Sequence, residues 1–197
     1  MLNKEIQEQR MKNYFIQATK EILKGEGLRA VSVRNVADRA GYSYATLYNY
    51  FKDIKDLIFE CVKDFQEEGE EFVTAEVRTS THGMEKIKSI TKAYMKYFIQ
   101  YPGIFELFYI EKTINLVNKQ PTIDLINTFL DRLCTEEWEY LIKNKILKKK
   151  DADIIKSKLR YLVPGILLLY LTRGNPATYK EFINITNEQL DDIIKIK

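Results

Sequence analysis

Between residues 32 and 55 the sequence carries a group of side chains suited to contacting a nucleic acid. Hydroxyl, phenol and amide groups can hydrogen-bond phosphate oxygens or base edges, and Arg and Lys can neutralise phosphate charge. A small Ala in the same stretch permits close approach to a groove or a thymine methyl. The side chains expected to contact double-stranded DNA are Ser32, Arg34, Ser43, Tyr44, Ala45, Thr46, Tyr48, Asn49, Lys52 and Lys55.

The stretch from Val33 to Tyr50 has the spacing of a helix-turn-helix, which would position these side chains. Two short helices that cross steeply need a small residue where their backbones approach, and Ala37 supplies it. The tight turn between them needs a residue that tolerates positive φ, and Gly41 supplies that four residues later. Val36, Ala40 and Leu47 would then fill the small core beneath the turn.

Capping residues mark the ends of these helices. Ser32 and Ser43 each precede a short helical stretch and can accept a hydrogen bond from its first turn. Asp53, followed three residues later by Asp56, has the pattern of a capping pair for a long fourth helix that continues to about Arg78. A first helix is predicted from about Lys4 to Lys24, so the first 80 residues hold four predicted helices, of which the last leads into the rest of the chain.

The stretch A-G-Y-S-Y-A-T-L-Y-N-Y-F-K-D-I-K-D-L, residues 40–57, resembles the signature of the tetracycline-repressor (TetR) family. The resemblance extends back to Tyr14. It implies a helix-turn-helix head, a long fourth helix, and a variable all-helical C-terminal domain that dimerises and often holds a small effector. Tyr44, Ala45 and Asn49 stand where the family commonly has Lys, Gly and His. We expect these departures to change which operator is read, and not whether DNA is bound.

The remainder of the chain is expected to be helical too. Only 8 Gly and 4 Pro interrupt 197 residues, and apolar residues recur at three- and four-residue spacing. Residues 1–55 carry a net charge of +4, from ten basic and six acidic side chains, whereas residues 56–197 carry −1. We predict an all-α fold, with a three-helix DNA-binding head at 1–55 joined by the long fourth helix to an all-helical dimerisation and ligand-binding domain at 56–197. The body helices are predicted at Met84–Gln100, Pro102–Asn118, Pro121–Lys145, Asp151–Thr172, Ala177–Asn184 and Asn187–Ile196. The second of these can contain a break, and a kink or division is predicted at Pro164.

No pattern in the sequence indicates an enzyme, a metal site or a cofactor. Cys61 and Cys134 form no metal or redox motif, and His82 has no Cys or His cluster to join. Phosphate-cradling glycine loops and the H-E-x-x-H motif are absent from the sequence. The most apolar run, 161–171, contains Pro164 and is shorter than the ~20 residues of a membrane span. We expect a cytoplasmic protein with two buried, reduced thiols.

The body is rich in aromatic residues, and two interpretations of them remain open. They can line a cavity for a small apolar or aromatic effector, or they can form an ordinary packed helical core. Few charged residues interleave with them, which is why the predicted effector is largely apolar. The candidate effector-binding residues are Tyr94, Tyr97, Phe98, Tyr101, Phe105, Phe108 and Trp138.

The apolar run Gly165–Leu171 predicts a homodimer interface, because one face of such a helix packs on its own domain and the other needs a partner. Burial within the monomer is the alternative. Two heads would reach successive major grooves of a near-palindromic operator, and effector binding would shift the fourth helix and release a repressor. Other possibilities are a regulator without an effector and an adaptor that contacts only proteins. Binding to duplex DNA that weakens steeply with salt separates a DNA-binding regulator from an adaptor.

Overall fold

The structure, a computed structural model, describes residues 2–111 and 120–194. These residues form ten α-helices and no strand, which confirms the predicted all-α class. The helices are α1 (Leu2–Gly25), α2 (Val33–Ala40), α3 (Tyr44–Tyr48), α4 (Ile54–Glu76), α5 (Met84–Gln100), α6 (Pro102–Phe105), α7 (Gln120–Leu133), α8 (Thr135–Lys143), α9 (Lys149–Arg173) and α10 (Tyr179–Ile194). A 3-10 turn, Leu28–Ala30, follows α1, and a π-helical turn, Glu106–Ile110, follows α6. The predicted helix ends at Asn118 and Ile196 lie outside the described residues.

The described residues pack as two compact units. The first unit contains the residues up to Glu67 together with Tyr101–Ile126, and the second contains Glu68–Gln100 together with the chain from Asn127 onward. Helix α4 begins in the first unit and ends in the second. These are units of packing, and the functional boundary predicted after residue 55 stays a prediction.

The first unit is built around Phe15, which is fully buried. Helix α1 turns Phe15, Ala18 and Ile22 inward, at the three- and four-residue spacing of one helical face. The buried cluster is completed by side chains from α2, α3 and the start of α4, namely Val36, Leu47, Phe51 and Leu57. This shared core stabilises α2 and α3, since helices of eight and five residues are too short to be stable alone.

Helix α6 lies against the end of α1 at a glycine. A Cβ atom at Gly103 would lie 2.1 Å from the Leu23 carbonyl oxygen and 2.8 Å from the Cα of Gly27. Both neighbours are backbone atoms, which cannot rotate away as a flexible side chain can. Only glycine therefore permits this close approach within the first unit.

The second unit packs α5, α8, α9 and α10 against one another. Helix α9 is continuous from Lys149 to Arg173, which excludes a division at Pro164, whereas the kink predicted there as the alternative stays a prediction. A proline removes one backbone hydrogen bond, and here the buried side chains Val163 and Leu167 keep the adjoining turns packed. Two further boundaries differ from the prediction. The stretch predicted as one helix over Pro121–Lys145 is two helices, α7 and α8, and the last two predicted helices form the single helix α10.

A buried carboxylate joins α8 to the start of α5. Glu137 is 2% exposed, and it accepts hydrogen bonds from the Gly83 N–H at 2.7 Å and from Lys86 Nζ at 2.9 Å. His82 Nδ1 lies 3.0 Å from the same carboxylate. Burial alone would raise the pKa of Glu137, but the hydrogen bonds from Gly83 and Lys86 outweigh burial and hold the pKa below its usual range. The histidine that stands alone in the sequence therefore has a partner 55 residues away.

Cys61 and Cys134 are both buried, as predicted, and neither forms a disulfide. Burial raises the pKa of the Cys134 thiol, which keeps the sulfur protonated and unreactive at neutral pH. Within the described ranges, no helix combines the length and the apolar character needed to cross a membrane.

Candidate nucleic-acid interface

The helix-turn-helix is stabilised by the caps that the sequence predicts. Ser32 Oγ accepts a hydrogen bond from the Asn35 N–H at 3.2 Å, at the start of α2. Ser43 Oγ accepts one from the Thr46 N–H at 3.2 Å, at the start of α3. The carboxylate of Asp53 caps α4 in the same way, at 2.8 Å. These bonds satisfy backbone donors that the first turn of a helix otherwise leaves unpaired.

The turn between α2 and α3 depends on Gly41, whose φ of 78° lies in the left-handed region. Its N–H donates to the Asp38 carbonyl oxygen at 3.2 Å, and the Tyr42 N–H donates to the Ala37 carbonyl oxygen at 3.0 Å. Ala37 itself is 2% exposed. The structure therefore confirms the positive φ predicted at Gly41, and it shows that Ala37 is buried.

Helix α3 buries one side chain and leaves its neighbours exposed. Leu47 is fully buried in the core of the first unit, whereas Tyr44 is 66% exposed and Tyr48 is 53% exposed. Ala45 and Asn49 are exposed as well. Four predicted DNA-contacting residues are thus accessible on α3 and its C-terminal cap, with phenol, methyl and amide groups that can meet base edges.

The basic side chains predicted to contact phosphates lie in the same unit as α3. Arg34 has 90% of its side chain exposed, and its Nε is 3.9 Å from a carboxylate oxygen of Asp38. Lys52 is exposed. Lys55 Nζ lies 3.0 Å from a carboxylate oxygen of Glu111, so a phosphate at this position would compete with Glu111 for the ammonium group.

The three predicted hydroxyl contacts, Ser32, Ser43 and Thr46, also have structural roles. The Ser43 and Thr46 hydroxyl oxygens are 2.9 Å apart, so one of their two protons is used between them. Ser32 accepts its capping bond through the oxygen. Its hydroxyl proton is not used in that bond, and a hydroxyl can donate and accept at once.

Two exposed tyrosines near α3 were not predicted as contact residues. Tyr14, on α1, is 54% exposed, and Tyr42, in the turn before α3, is 37% exposed. Their ring centroids are 6.0 Å apart. The richness of this stretch in tyrosine was the available signal. Only the packing of α1 onto the motif brings the two rings together.

The seven candidate effector-binding aromatics are divided between the two units. The second unit contains Tyr94, Tyr97, Phe98 and Trp138, and the first contains Tyr101, Phe105 and Phe108. All are buried except Tyr101, which is half-buried. The Tyr94 ring packs edge-on against Phe98 at 4.9 Å and against Phe129 at 5.3 Å. Such packing favours the core interpretation for Tyr94 and Phe98, while effector binding stays a prediction.

Trp138 differs from the other buried aromatics because it has an unsatisfied donor. It is 2% exposed, and its indole N–H has no hydrogen-bond partner in the described part of the chain. Lys156 Nζ lies 5.6 Å from the centroid of its ring. A buried donor without an acceptor is costly, so this N–H would gain from any acceptor placed beside it.

The second unit also contains an open cavity of about 260 Å³. This volume is just below the ~300–1,000 Å³ common for small-molecule sites. Its lining combines apolar residues with charged residues of both signs. The apolar residues are Val73, Val77, Ile90 and Leu133, the basic residues are Arg78, Lys86 and Arg132, and the acidic residues are Glu70 and Glu136.

Comparison with known proteins identifies the motif and the fold. A family profile described as bacterial regulatory proteins, tetR family, matches residues 15–61. The fold resembles that of the transcriptional regulator FadR from Bacillus subtilis in complex with stearoyl-CoA, with 17% identity, a TM-score of 0.67, and coverage of 92% of this chain and 97% of that one. FadR from Bacillus halodurans gives 13% identity, a TM-score of 0.66, and coverage of 95% and 96%. A TetR family transcription regulator from Marinobacter aquaeolei gives 16% identity, a TM-score of 0.62, and coverage of 97% of each chain.

At these identities the solved structures show the fold alone, and the comparison with curated proteins gives no match. The family profile covers the helix-turn-helix itself, including α2, the turn at Gly41 and α3. Proteins of this family are transcription regulators and not enzymes. The helix-turn-helix within residues 15–61 is therefore of the kind found in bacterial regulatory proteins of the tetR family, and it lies in an all-helical fold that resembles those of the solved regulators.

Proposed function

We propose that this regulator represses transcription by binding a near-palindromic operator as a homodimer, with one α3 helix in each of two successive major grooves. The observation that carries the proposal is the surface of α3, where Tyr44, Ala45, Tyr48 and Asn49 are exposed around the buried Leu47. A recognition helix needs one side in the core and the other free for base edges. The near-palindrome follows from the twofold symmetry of a homodimer, and binding to chromosomal DNA places the protein in the cytoplasm.

Support for the homodimer comes from the outer face of α9. Tyr161 is 75% exposed, and Leu168 and Leu169 are 43% and 49% exposed. At Gly165, on the same face, an added Cβ would meet no atom within 4 Å, so a second helix could approach this backbone closely. A second head is also required by the energetics, since one small helix-turn-helix buries too little surface for tight, specific binding.

The proposal includes release of the operator by a small, largely apolar or aromatic effector bound in the body. The FadR structure from Bacillus subtilis contains stearoyl-CoA. Molecules with an acyl chain are therefore among the candidate effectors to test for binding to this chain. The buried Trp138 indole N–H offers a donor to such a ligand. An effector must bind the operator-free form better than the bound form to have any effect. A regulator that acts without an effector is the alternative.

The operator proposal is tested by selecting bound duplexes from a random-sequence pool with the purified chain. We expect enrichment of two inverted, similar half-sites whose centres lie one helical turn, about 10 bp, or a multiple of it apart. Affinity for the selected operator should fall steeply as salt rises, because bound phosphates release counterions. A selected pool without sequence enrichment, or a binding affinity that does not change with salt, would overturn the proposal. An adaptor that contacts only proteins would then be the remaining interpretation.

A matched pair of tyrosine variants connects this result to α3. Tyr44→Ala should change the bases enriched within each half-site, because it removes a side chain placed to contact base edges. Tyr140→Ala, which removes a 41% exposed tyrosine of α8, should enrich the wild-type operator. If both variants enriched the same operator sequence, Tyr44 would not contact the bases.

A further inference from the structure

Helix α1 extends beyond the core of the first unit. It begins at Leu2, whereas its first fully buried side chain is Phe15. Residues 4–10 are all exposed. Met11 is the first side chain of α1 that packs against this core. At 1.5 Å per residue the projecting part, residues 2–10, is therefore about 14 Å long. A projecting helix of this length gains little from core burial, so its faces are accessible to a partner.

One face of the projecting part is polar and carries no acidic side chain. Gln7, Arg10 and Tyr14 recur at three- and four-residue spacing and therefore share this face. Glu8 lies elsewhere on the helix, where it pairs with Lys12 at 3.3 Å. Arg10 is exposed, and no ion pair of it occurs among the side chains that the structure describes. Among the described residues, therefore, no carboxylate neutralises the positive charge of this face.

Aromatic contacts fix this face beside the recognition helix. The Tyr42 ring lies 6.0 Å from the Tyr14 ring and 5.7 Å from the ring of the fully buried Phe15. Tyr42 immediately precedes Ser43, the N-cap of α3. The face that carries Tyr14 thus adjoins the turn where α3 begins, and Phe15 anchors both tyrosines to the core.

We propose that the face of α1 defined by Arg10 and Tyr14 is a second DNA-contacting surface, which binds backbone phosphates flanking each half-site. The proposal rests on operator binding by α3. With α3 in the major groove, an element beside the start of α3 but outside the groove faces the strand that borders it. A guanidinium neutralises a phosphate and a phenol donates to its oxygen, and such contacts position a protein without reading bases.

The composition of the face favours DNA over a protein partner. Protein interfaces concentrate aliphatic and aromatic anchors in a desolvated centre. Here Gln7 and Arg10 are exposed polar residues, and Tyr14 and Tyr42, which adjoin this face, have phenol groups that can donate to a phosphate. A polar, singly charged face of this kind suits the hydrated phosphate backbone.

The test compares variants of the two faces of α1 on the selected operator with about one turn of flanking duplex. For a dimer, Arg10→Gln should reduce the slope of log affinity against log salt by about 1.8, at about 0.9 per lost phosphate contact. Tyr14→Phe should lower affinity with an unchanged slope, because it removes a hydroxyl and no charge. The matched control is Lys12→Gln, which removes a cation from the other face and should retain the wild-type slope.

Ethylation interference locates the contacts. Binding of the wild type should be blocked by ethyl groups on particular phosphates outside each half-site, and Arg10→Gln should lose that sensitivity at the same phosphates. Wild-type slopes and ethylation patterns in both variants would overturn the inference. A changed base preference in Arg10→Gln would overturn it too, since the contact would then be to a base. If the wild type selects no operator, the proposed function fails with it, and this outcome is distinct from the other two.

Discussion

The tyrosines of the two units have opposite surroundings. Tyr44 and Tyr48 on α3 are 66% and 53% exposed, whereas Tyr94 and Tyr97 on α5 are 1% and 2% exposed. Helix α3 is a single short turn anchored by Leu47, so its other side chains have little protein to contact. Helix α5 packs against α8, α9 and α10, and its aromatic side chains fill the interior. An abundance of tyrosine therefore indicates a binding surface only where the fold leaves the rings exposed.

The two units also differ in how the starts of their helices are satisfied. In the first unit Ser32, Ser43 and Asp53 each accept a bond from a backbone N–H three residues ahead. In the second unit the N–H of Gly83, at the start of α5, is satisfied by Glu137, 54 residues away. The first arrangement is local and forms with the motif. The second exists only when α8 is packed against the start of α5, so the turn at Gly83 is ordered only in the folded unit.

The largest expected effect comes from a substitution that disrupts the packing of the first unit and leaves the side chains proposed to contact DNA unchanged. Gly103→Ala should lower the free energy of unfolding by about 4 kcal/mol, because its Cβ would collide with the backbone of Leu23 and Gly27. Urea denaturation measures this change. The control is Gly25→Ala, whose Cβ meets no atom within 4 Å and should shift stability by less than about 1 kcal/mol. Equal stabilities would mean that α6 does not pack on α1 as described.

The buried tyrosines should contribute stability that the exposed ones do not. Tyr97→Ala should cost about 3–4 kcal/mol of unfolding free energy, since it leaves a large cavity among α5 neighbours. Tyr44→Ala, at an exposed position, should change it by less than about 0.5 kcal/mol. Thermal and urea unfolding of the two variants measure these changes. Similar losses of unfolding free energy in both variants would contradict the prediction that only the buried tyrosines contribute stability.

Substitutions of the exposed and the buried tyrosines should affect operator affinity in the reverse order, with the larger loss at Tyr44. Tyr44→Ala should weaken binding to the selected operator by about 1–3 kcal/mol, roughly ten- to a hundredfold, through a lost base contact. Tyr97→Phe keeps the buried ring and should bind like the wild type. Fluorescence anisotropy at fixed salt measures both affinities. A loss in Tyr97→Phe that matches the loss in Tyr44→Ala would show that burial does not separate the two groups.

The smallest expected effect is a pH dependence from the Glu137 contact. Because the pKa of Glu137 is held below its ordinary value of 4.5, the ionised form stabilises the fold above that pH, and the contribution disappears as pH falls through the lowered pKa. Glu137→Gln should cost about 1–3 kcal/mol at pH 7, since it removes a charged acceptor from Gly83 and Lys86. Below pH 4.5 its stability should fall less steeply than that of the wild type. Parallel curves from pH 7 to 3 would contradict this assignment.

Predictions from sequence held where the controlling contacts are local. The caps at Ser32, Ser43 and Asp53, and the turn at Gly41, depend on atoms within a few residues, and the structure confirms each one. Of the kink or division predicted at Pro164, the structure excludes the division, because burial of the surrounding side chains outweighs one lost backbone bond. No glycine or proline lies at the break between α7 and α8, so the periodicity of the apolar residues predicted a single helix there.

The sequence by itself determined the recognition motif of this protein. The spacing of Ala37, Gly41 and Leu47 and the serine caps specify two short helices and their turn, because a capped helix and a positive-φ glycine are short-range features. The tertiary structure decided which tyrosines reach solvent, and it placed Tyr14 of α1 against the turn at Tyr42. It also decided that Glu137 would hold the start of α5. These outcomes depend on contacts between segments far apart in the chain, which neither periodicity nor residue spacing encodes.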